Sequence, residues 1–265
     1  MSSPGTVYII KVGGNVIDNP AFLDSFLKDF AAVPALKVLI HGGGKIATRI
    51  GDKLGIAANY VNGRRITDAE TIDVVTMVYG GLVNKQVVAK LQANGCNAIG
   101  LTGADANIIP AVKRPVKEID YGFVGDIPEG SVQTAPVKLL LDAGITPVLA
   151  PLTHDGKGQI LNTNADTIAS SLAVALSAHY TVRLIYCFEK KGVLRNAEDD
   201  ESVINLINRD IYRQLLADGA LSDGILPKLD NAFAAIESGV KEVLIGHAGD
   251  LQRNTTGSVA GTLIC

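Results

Sequence analysis

Lys11 is the first residue whose type and place suggest chemistry. It sits in Ile9-Ile10-Lys11-Val12-Gly13-Gly14, a lysine within an apolar run that two glycines interrupt. An ammonium in such surroundings is costly unless it reaches a partner or water. Glycines let backbone N–H groups approach an anion closely, and a helix starting nearby adds its positive end. An anion site at a strand end is the functional reading; a lysine snorkelling from a strand edge is the plain one. Leu39-Ile40-His41-Gly42-Gly43-Gly44-Lys45 repeats the device, with an ordinary tight turn as its plain reading.

Neither loop is a standard nucleotide motif. Gly42-x-Gly44-x-x-Ala47 formally fits the dinucleotide fingerprint, but Asn62-Gly63-Arg64-Arg65 stands where the acidic residue is needed. The Walker phosphate loop fails because Leu39 occupies the first glycine position and Ile46 follows Gly44-Lys45. Two glycine loops outside both motifs point to a different way of holding phosphate.

Three further stretches carry suitable groups. Arg64-Arg65 offers a guanidinium fork for a carboxylate, with a solvated pair as the plain reading for Arg64. Asn162-Thr163-Asn164-Ala165-Asp166 opens a helix; Asn164 is a natural cap, yet two amides and a carboxylate exceed what a cap needs. Asp166 could hold two lysines in place, and Asn162 could bind substrate. Lys228 follows Leu226-Pro227 at a helix start, where a surface lysine is the plain alternative. No Ser/His/Asp arrangement or carboxylate pair is suggested. A substrate carboxylate would already be ionised at pH 7, given a reference pKa of about 4.3 for a glutamate side chain. Such a nucleophile needs no general base. Catalysis then reduces to positioning and charge neutralisation, as phosphoryl transfer requires.

Positioning these groups takes strands that end in glycine loops. Val7 to Val12, Leu36 to Ile40, Asn97 to Leu101, Ile145 to Ala150, Val182 to Cys187, Glu242 to Ile245 and Gly261 to Ile264 read as strands. Helices are expected after Asn19-Pro20, over 45–54, 134–143, 164–178, 208–217 and 227–238, and over a long stretch of roughly 68–94. Thr67-Asp68-Ala69-Glu70 has the form of a capping box for the long helix. Residues 107–132 read as a β-hairpin excursion. Alternation of strands and helices predicts an α/β fold with a mostly parallel sheet covered on both faces. A boundary near residue 180 is expected, where a second set of βα units begins.

Composition narrows the partners. The 265 residues are 47% apolar and 19% charged, with a net charge of −3 and no tryptophan. This leaves ample core and no basic face for nucleic acid. Cys96, Cys187 and Cys265 are odd in number and far apart, and neither they nor the four histidines show metal-ligand spacing. A reduced, cytoplasmic protein with no protein-held metal is expected. No signal peptide and no apolar span of ~18 residues are read, so no membrane partner is expected.

The series Lys11-Val12-Gly13-Gly14, His41-Gly42-Gly43-Gly44, Asn62-Gly63-Arg64-Arg65-Ile66-Thr67 and Asn84-Lys85 continues along the chain. Tyr121-Gly122-Phe123-Val124-Gly125-Asp126, Asn162-Thr163-Asn164-Ala165-Asp166 and Ser222-Asp223-Gly224-Ile225-Leu226-Pro227-Lys228 complete it. In this order the chain resembles the acetylglutamate kinases, a branch of the amino acid kinase family, from residue 7 to the Gly261-Thr262-Leu263-Ile264 ending. The resemblance implies a three-layer αβα sandwich around an eight-stranded, mainly parallel sheet. It implies one domain over 1–265, with an acylglutamate-binding lobe over 1–180 and an ATP-binding lobe over 181–265. It also implies ATP with Mg²⁺ and transfer to the side-chain carboxylate of N-acetyl-L-glutamate, in arginine biosynthesis.

Carried over residue by residue, Lys11 and Lys228 would neutralise the transferring phosphoryl group and Asp166 would orient both. Gly13 and Gly14 would meet the nucleotide phosphates, and Gly43 and Gly44 the attacking carboxylate region. Arg65 and Asn162 would bind the α-carboxylate side. Lys191, Gly192, Val193, Leu194, Leu221 and Ser222 would line the ATP site. Family members pair through the long helix, so a homodimer through 68–94 is expected. The chain departs from the family in two loops. Cys187-Phe188-Glu189-Lys190-Lys191-Gly192-Val193-Leu194 replaces a Thr/Ser-Asp-Val-x-Gly-Val-Leu pattern, and Gly103-Ala104-Asp105-Ala106 replaces Gly-Lys-Asp-Gly. An N-succinyl substrate stays open; it would need another cation near the hairpin, where Lys113, Arg114 and Lys117 are candidates. Other amino acid kinase substrates and a non-catalytic nucleotide or arginine sensor are the remaining alternatives.

Overall fold

The computed structural model of the chain describes residues 5–61, 63–196, 198–219, 221 and 225–265. Eight strands form one sheet: β1 Thr6–Val12, β2 Leu36–His41, β3 Ala98–Leu101, β4 Thr146–Leu149, β5 Thr181–Phe188, β6 Leu206–Ile207, β7 Glu242–His247 and β8 Thr262–Ile264. Their order is β6-β8-β7-β5-β1-β2-β4-β3. Every pairing is parallel except β7 with β8. Strands that begin before residue 180 make one half of the sheet, and later strands make the other. The halves meet between β1 and β5.

β1 shows why the strands read as apolar runs. Tyr8, Ile10 and Val12 enter one buried cluster, while Val7 and Ile9 enter another on the opposite face. The first face is covered by α1, Pro20–Ala32, through Phe26 and Phe30, and by the long helix α3, residues 69–93, through Val75, Val78, Val87 and Leu91. Between them in sequence lies α2, Gly44–Lys53. The second face is covered by α4, Thr134–Asp142, α5, Ala165–Ser177, and α7, Leu226–Glu237, with Val137, Leu172 and Phe233 in contact with the sheet cluster. α6, Arg209–Ala217, precedes α7. Three layers result, as expected. Helix starts follow capping chemistry: Asn19 accepts the Phe22 N–H ahead of Pro20, Asn164 accepts Asp166 and Thr167 N–H, and Asn208 accepts that of Ile211.

The long helix differs from expectation in two ways. α3 runs as Ala69–Val75, then a π-helical stretch Thr76–Val83 that holds Gly80-Gly81, then Asn84–Ala93. Its cap is Asp68, which accepts the Thr71 N–H at 2.8 Å, and not Thr67 of the expected capping box. Thr67 is fully buried and otherwise engaged: its hydroxyl accepts a bond from Asn162 Nδ2 at 3.0 Å, and its backbone pairs with Tyr121 and Phe123. The excursion over 107–132 contains only a two-residue ribbon, Val112–Lys113 with Gly125–Asp126. Gly122 (φ +71°) docks this segment on Thr67, and a Cβ there would lie 2.1 Å from the Thr67 carbonyl oxygen. Gly122→Ala combines that clash with a left-handed backbone, and should cost at least about 2 kcal/mol in urea unfolding.

Candidate active site

Parallel register places the two glycine loops together. Val12 is level with His41 on β2 and with Cys187 on β5, so Gly13 and Gly42 leave the sheet at the same height. The chain proceeds from β1 outward to β2 on one side, and β5 lies on the other. This is a topological switch point, where open α/β sheets form a crevice beyond the strand ends. The loops touch: a Cβ on Gly42 would lie 3.0 Å from the Gly14 nitrogen. Gly14 begins a single helical turn, Gly14–Ile17, and Gly44 begins α2, so N–H groups of both starts are free of intrahelical partners.

Alternation along β1 sends Lys11 to the face of Val7 and Ile9, where α5 and α7 pack. There Lys11 Nζ lies 2.8 Å from Asp166 Oδ1, and Lys228 Nζ lies 2.7 Å from Asp166 Oδ2. The side chains of Lys11, Asp166 and Lys228 are 14%, 15% and 30% exposed. Burial alone would raise the Asp166 carboxyl pKa, but the two ammoniums outweigh it and hold the group well below the usual carboxylate range. Two cations on one anion leave one net positive charge facing the crevice. Tyr186 supports the cluster from β5 by donating to the Asp166 carbonyl at 3.3 Å; burial, then the Asp166 charge, keeps this phenol un-ionised.

Gly43, Gly44, Arg65 and Asn162 line one adjoining cleft of about 230 Å³, with Tyr60, Tyr79, Val124 and Thr163. Arg65 is buried by a hairpin, Tyr60–Val61 with Arg64–Arg65, that pairs it across from Tyr60. Its Nη2 donates to the Gly44 carbonyl at 2.9 Å, to Thr48 Oγ1 at 2.8 Å and to the Tyr60 hydroxyl. Arg64 is exposed, as its plain reading predicts. Asn162 ends the ribbon of Leu152–His154 with Ile160–Asn162 and is tied to Thr67. Thr163 comes with the Asn162–Asp166 stretch, whereas Tyr60, Thr48 and Tyr79 belong to no motif in the sequence. The Tyr60 contact had a signal, since a short hairpin turning near Gly63 sets residue 60 opposite 65; the others arrive through packing alone.

The segment after β5 sits differently. Phe188 lies beneath Lys228, whose Nζ is 5.9 Å from the ring centroid, and beside Gly13. Lys191 pairs outward with Glu201. Gly192 and Val193 pack on Thr262, whose hydroxyl accepts the Val193 N–H at 2.8 Å, and Leu194 bridges to Val203. Leu221 is half-buried against the second core cluster. Ser222 and Asn62 lie outside the described residues. Of the cations near the hairpin, Arg114 is paired with Asp126 and Lys113 rests over the Phe123 ring at 4.9 Å. Arg114 is therefore already neutralised.

The architecture is a parallel αβα sheet with an ammonium–carboxylate–ammonium cluster and paired glycine loops at its switch point. The amino acid kinase family model matches residues 6–247, and the chain belongs to that family. An acetylglutamate kinase from Cytophaga hutchinsonii is 62% identical over 246 residues, covering 92% of each chain. One from Bacteroides thetaiotaomicron is 58% identical, covering 93% of this chain and 95% of that one. The structure of an N-acetylglutamate synthase from Neisseria gonorrhoeae matches with a TM-score of 0.82 at 22% identity, covering 99% of this chain and 60% of that one. That likeness is one of fold alone.

Proposed function

We propose that the chain transfers the γ-phosphoryl group of ATP to the side-chain carboxylate of N-acetyl-L-glutamate, giving an acyl phosphate and ADP, in arginine biosynthesis. The observation that carries this reading is the Lys11–Asp166–Lys228 cluster beside the two glycine loops. The high identity with acetylglutamate kinases supports the choice of substrate.

The attacking carboxylate is ionised at neutral pH, so no side chain has to remove a proton. Lys11 and Lys228 meet the charge that spreads over the phosphoryl oxygens, and Asp166 fixes where both ammoniums stand. The Gly14 N–H serves the nucleotide phosphates, and those of Gly43 and Gly44 the attacking carboxylate; Gly13, whose own N–H is donated to the Cys187 carbonyl at 2.9 Å, lets the phosphates approach the loop closely. Arg65 and Asn162 hold the α-carboxylate side of the acid. Residues 1–180 form the lobe for the acylglutamate. Residues 181–265 form the ATP lobe, in which Lys191, Gly192, Val193, Leu194 and Leu221 line the site. Both Asp166 oxygens are taken by ammoniums, and the described residues hold no group of three or more His, Cys, Asp or Glu side chains suited to a metal. Mg²⁺ would enter with the nucleotide phosphates and would supply further charge neutralisation there.

The protein works in the cytoplasm in this reading. Among the described residues no helix is long and apolar enough to cross a membrane, and all three cysteines are free. Two copies pair through α3, which exposes Met77 and Leu82. Equilibrium sedimentation should give twice the chain mass.

ADP release should be fastest with N-acetylglutamate when it is offered beside N-succinylglutamate, glutamate, carbamate and UMP. Turnover with none of the five would end the kinase reading. Arg65→Lys loses the planar fork and should raise KM for N-acetylglutamate by about 10- to 100-fold, with little change in KM for ATP. An equal rise in both constants would remove Arg65 from the acid site.

A further inference from the structure

His41 ends β2 directly before the triple glycine, and it is fully buried. It shares the sheet face of Leu39, toward α3, opposite the face of Lys11. Its Nδ1 lies 2.7 Å from the Gly42 carbonyl oxygen. Its Nε2 lies 3.1 Å from Asn84 Nδ2, which also lies 3.0 Å from the Val148 carbonyl oxygen. A carbonyl can only accept, so the Asn84 amide must present its nitrogen to Val148. The second hydrogen of that nitrogen points at Nε2, which therefore accepts. The ring proton is then on Nδ1, donated to the Gly42 oxygen. Burial lowers the His41 pKa to about 4 against the opposing effect of this bond, so the ring stays neutral at pH 7. The space for the Asn84 amide depends on Gly100, where a Cβ would lie 1.8 Å from Asn84 Oδ1.

The Gly42–Gly43 peptide needs an anchor. Neither flanking residue has a Cβ to resist its rotation, and Gly43 adopts φ +154°. In a trans peptide the carbonyl and the next N–H point in opposite directions. A Gly42 carbonyl held toward the buried imidazole turns the Gly43 N–H toward the cleft that Gly43 lines. Among the described residues that N–H has no hydrogen-bond partner.

We propose that His41 is a positioning residue: by holding the Gly42 carbonyl it aims the Gly43 N–H at the reacting carboxylate and phosphoryl oxygens, and Asn84 selects the tautomer that can do so. The role in turnover rests on the kinase reading above; the tautomer does not. Long-range ¹H–¹⁵N NMR of the full chain without substrate should show His41 protonated on Nδ1 at pH 7. Protonation on Nε2 overturns the proposal, whatever the enzyme phosphorylates. His41→Leu should lower kcat by about 10- to 100-fold, with KM for ATP and for N-acetylglutamate each within about threefold. His41→Asn puts an amide nitrogen where Nδ1 stood and should recover at least about tenfold of that loss. A His41→Leu enzyme as fast as wild type, or a His41→Asn enzyme as slow as His41→Leu, overturns the proposal. If His41→Leu fails to fold, the NMR result decides alone. A wild-type protein that phosphorylates none of the five acceptors overturns the kinase reading and with it the aim at a phosphoryl group, while the tautomer is still decided by NMR.

Discussion

Lys11→Ala should lower kcat by about 10²- to 10³-fold while KM for ATP changes less than about tenfold. The split follows from where the ammonium stands. Lys11 reaches the crevice from the end of β1 and is held on Asp166 at 2.8 Å, ready for charge that develops only during transfer. In the proposed reading, ground-state ATP would keep its contacts with the glycine loops and with Mg²⁺, so its binding should fall less than the rate. Lys11→Arg should not restore the rate, because a planar fork cannot stand where a compact ammonium shares one carboxylate with Lys228. Steady-state kinetics with both substrates varied will decide. An unchanged kcat would remove Lys11 from the mechanism.

Asp166→Asn should carry the largest combined effect on rate and stability. The carboxylate is the sole counter-charge within ion-pair distance of Lys11 and Lys228 among the described residues. Taking it away leaves two ammoniums side by side, and breaking a buried pair in this way costs about 3–5 kcal/mol. The pH dependence has a definite sign. Burial pushes the Asp166 pKa up, the two ammoniums pull it down further, and the folded value ends below the ordinary one. A group with a depressed folded pKa stabilises fully above its unfolded value of about 3.9, and the stabilisation is lost as pH falls through the folded value. Urea unfolding of wild type and Asp166→Asn should therefore differ most near neutrality and converge as pH drops below about 4. A gap that stays constant down to pH 3 would show that the carboxylate acts by packing alone.

Much of this site can be read along the chain because each half of it is local. Lys11 with Gly13-Gly14 is a strand end, and Asn164 with Asp166 is a helix start; both are written in consecutive residues. Strand register then does the rest, since the level of Val12 with His41 and Cys187 sets the loops side by side. What escaped reading is what packing brings together. Thr48 and Tyr60 surround Arg65 from a helix and a hairpin, and no periodicity marks them. Thr67 has the sequence of a helix cap, but its hydroxyl is taken by Asn162, 95 residues away, so Asp68 caps instead. The π-helical stretch over Thr76–Val83 is apolar and continuous with helix on both sides, so nothing in its residue types separates it from an α-helix. β6 is only two residues, Leu206–Ile207, too short to show alternation and placed by pairing with β8.

Transfer of a phosphoryl group to a carboxylate between two lysines leaves an acyl phosphate as its product. Acyl phosphates react with hydroxylamine to give hydroxamates, so trapping during turnover with ATP and N-acetylglutamate reads that transfer directly. The expected result is about one hydroxamate per ADP in the wild type, and both products lost together in Lys11→Ala. ADP released by the wild type without hydroxamate would mean that the phosphoryl group goes to water, and would contradict the assignment.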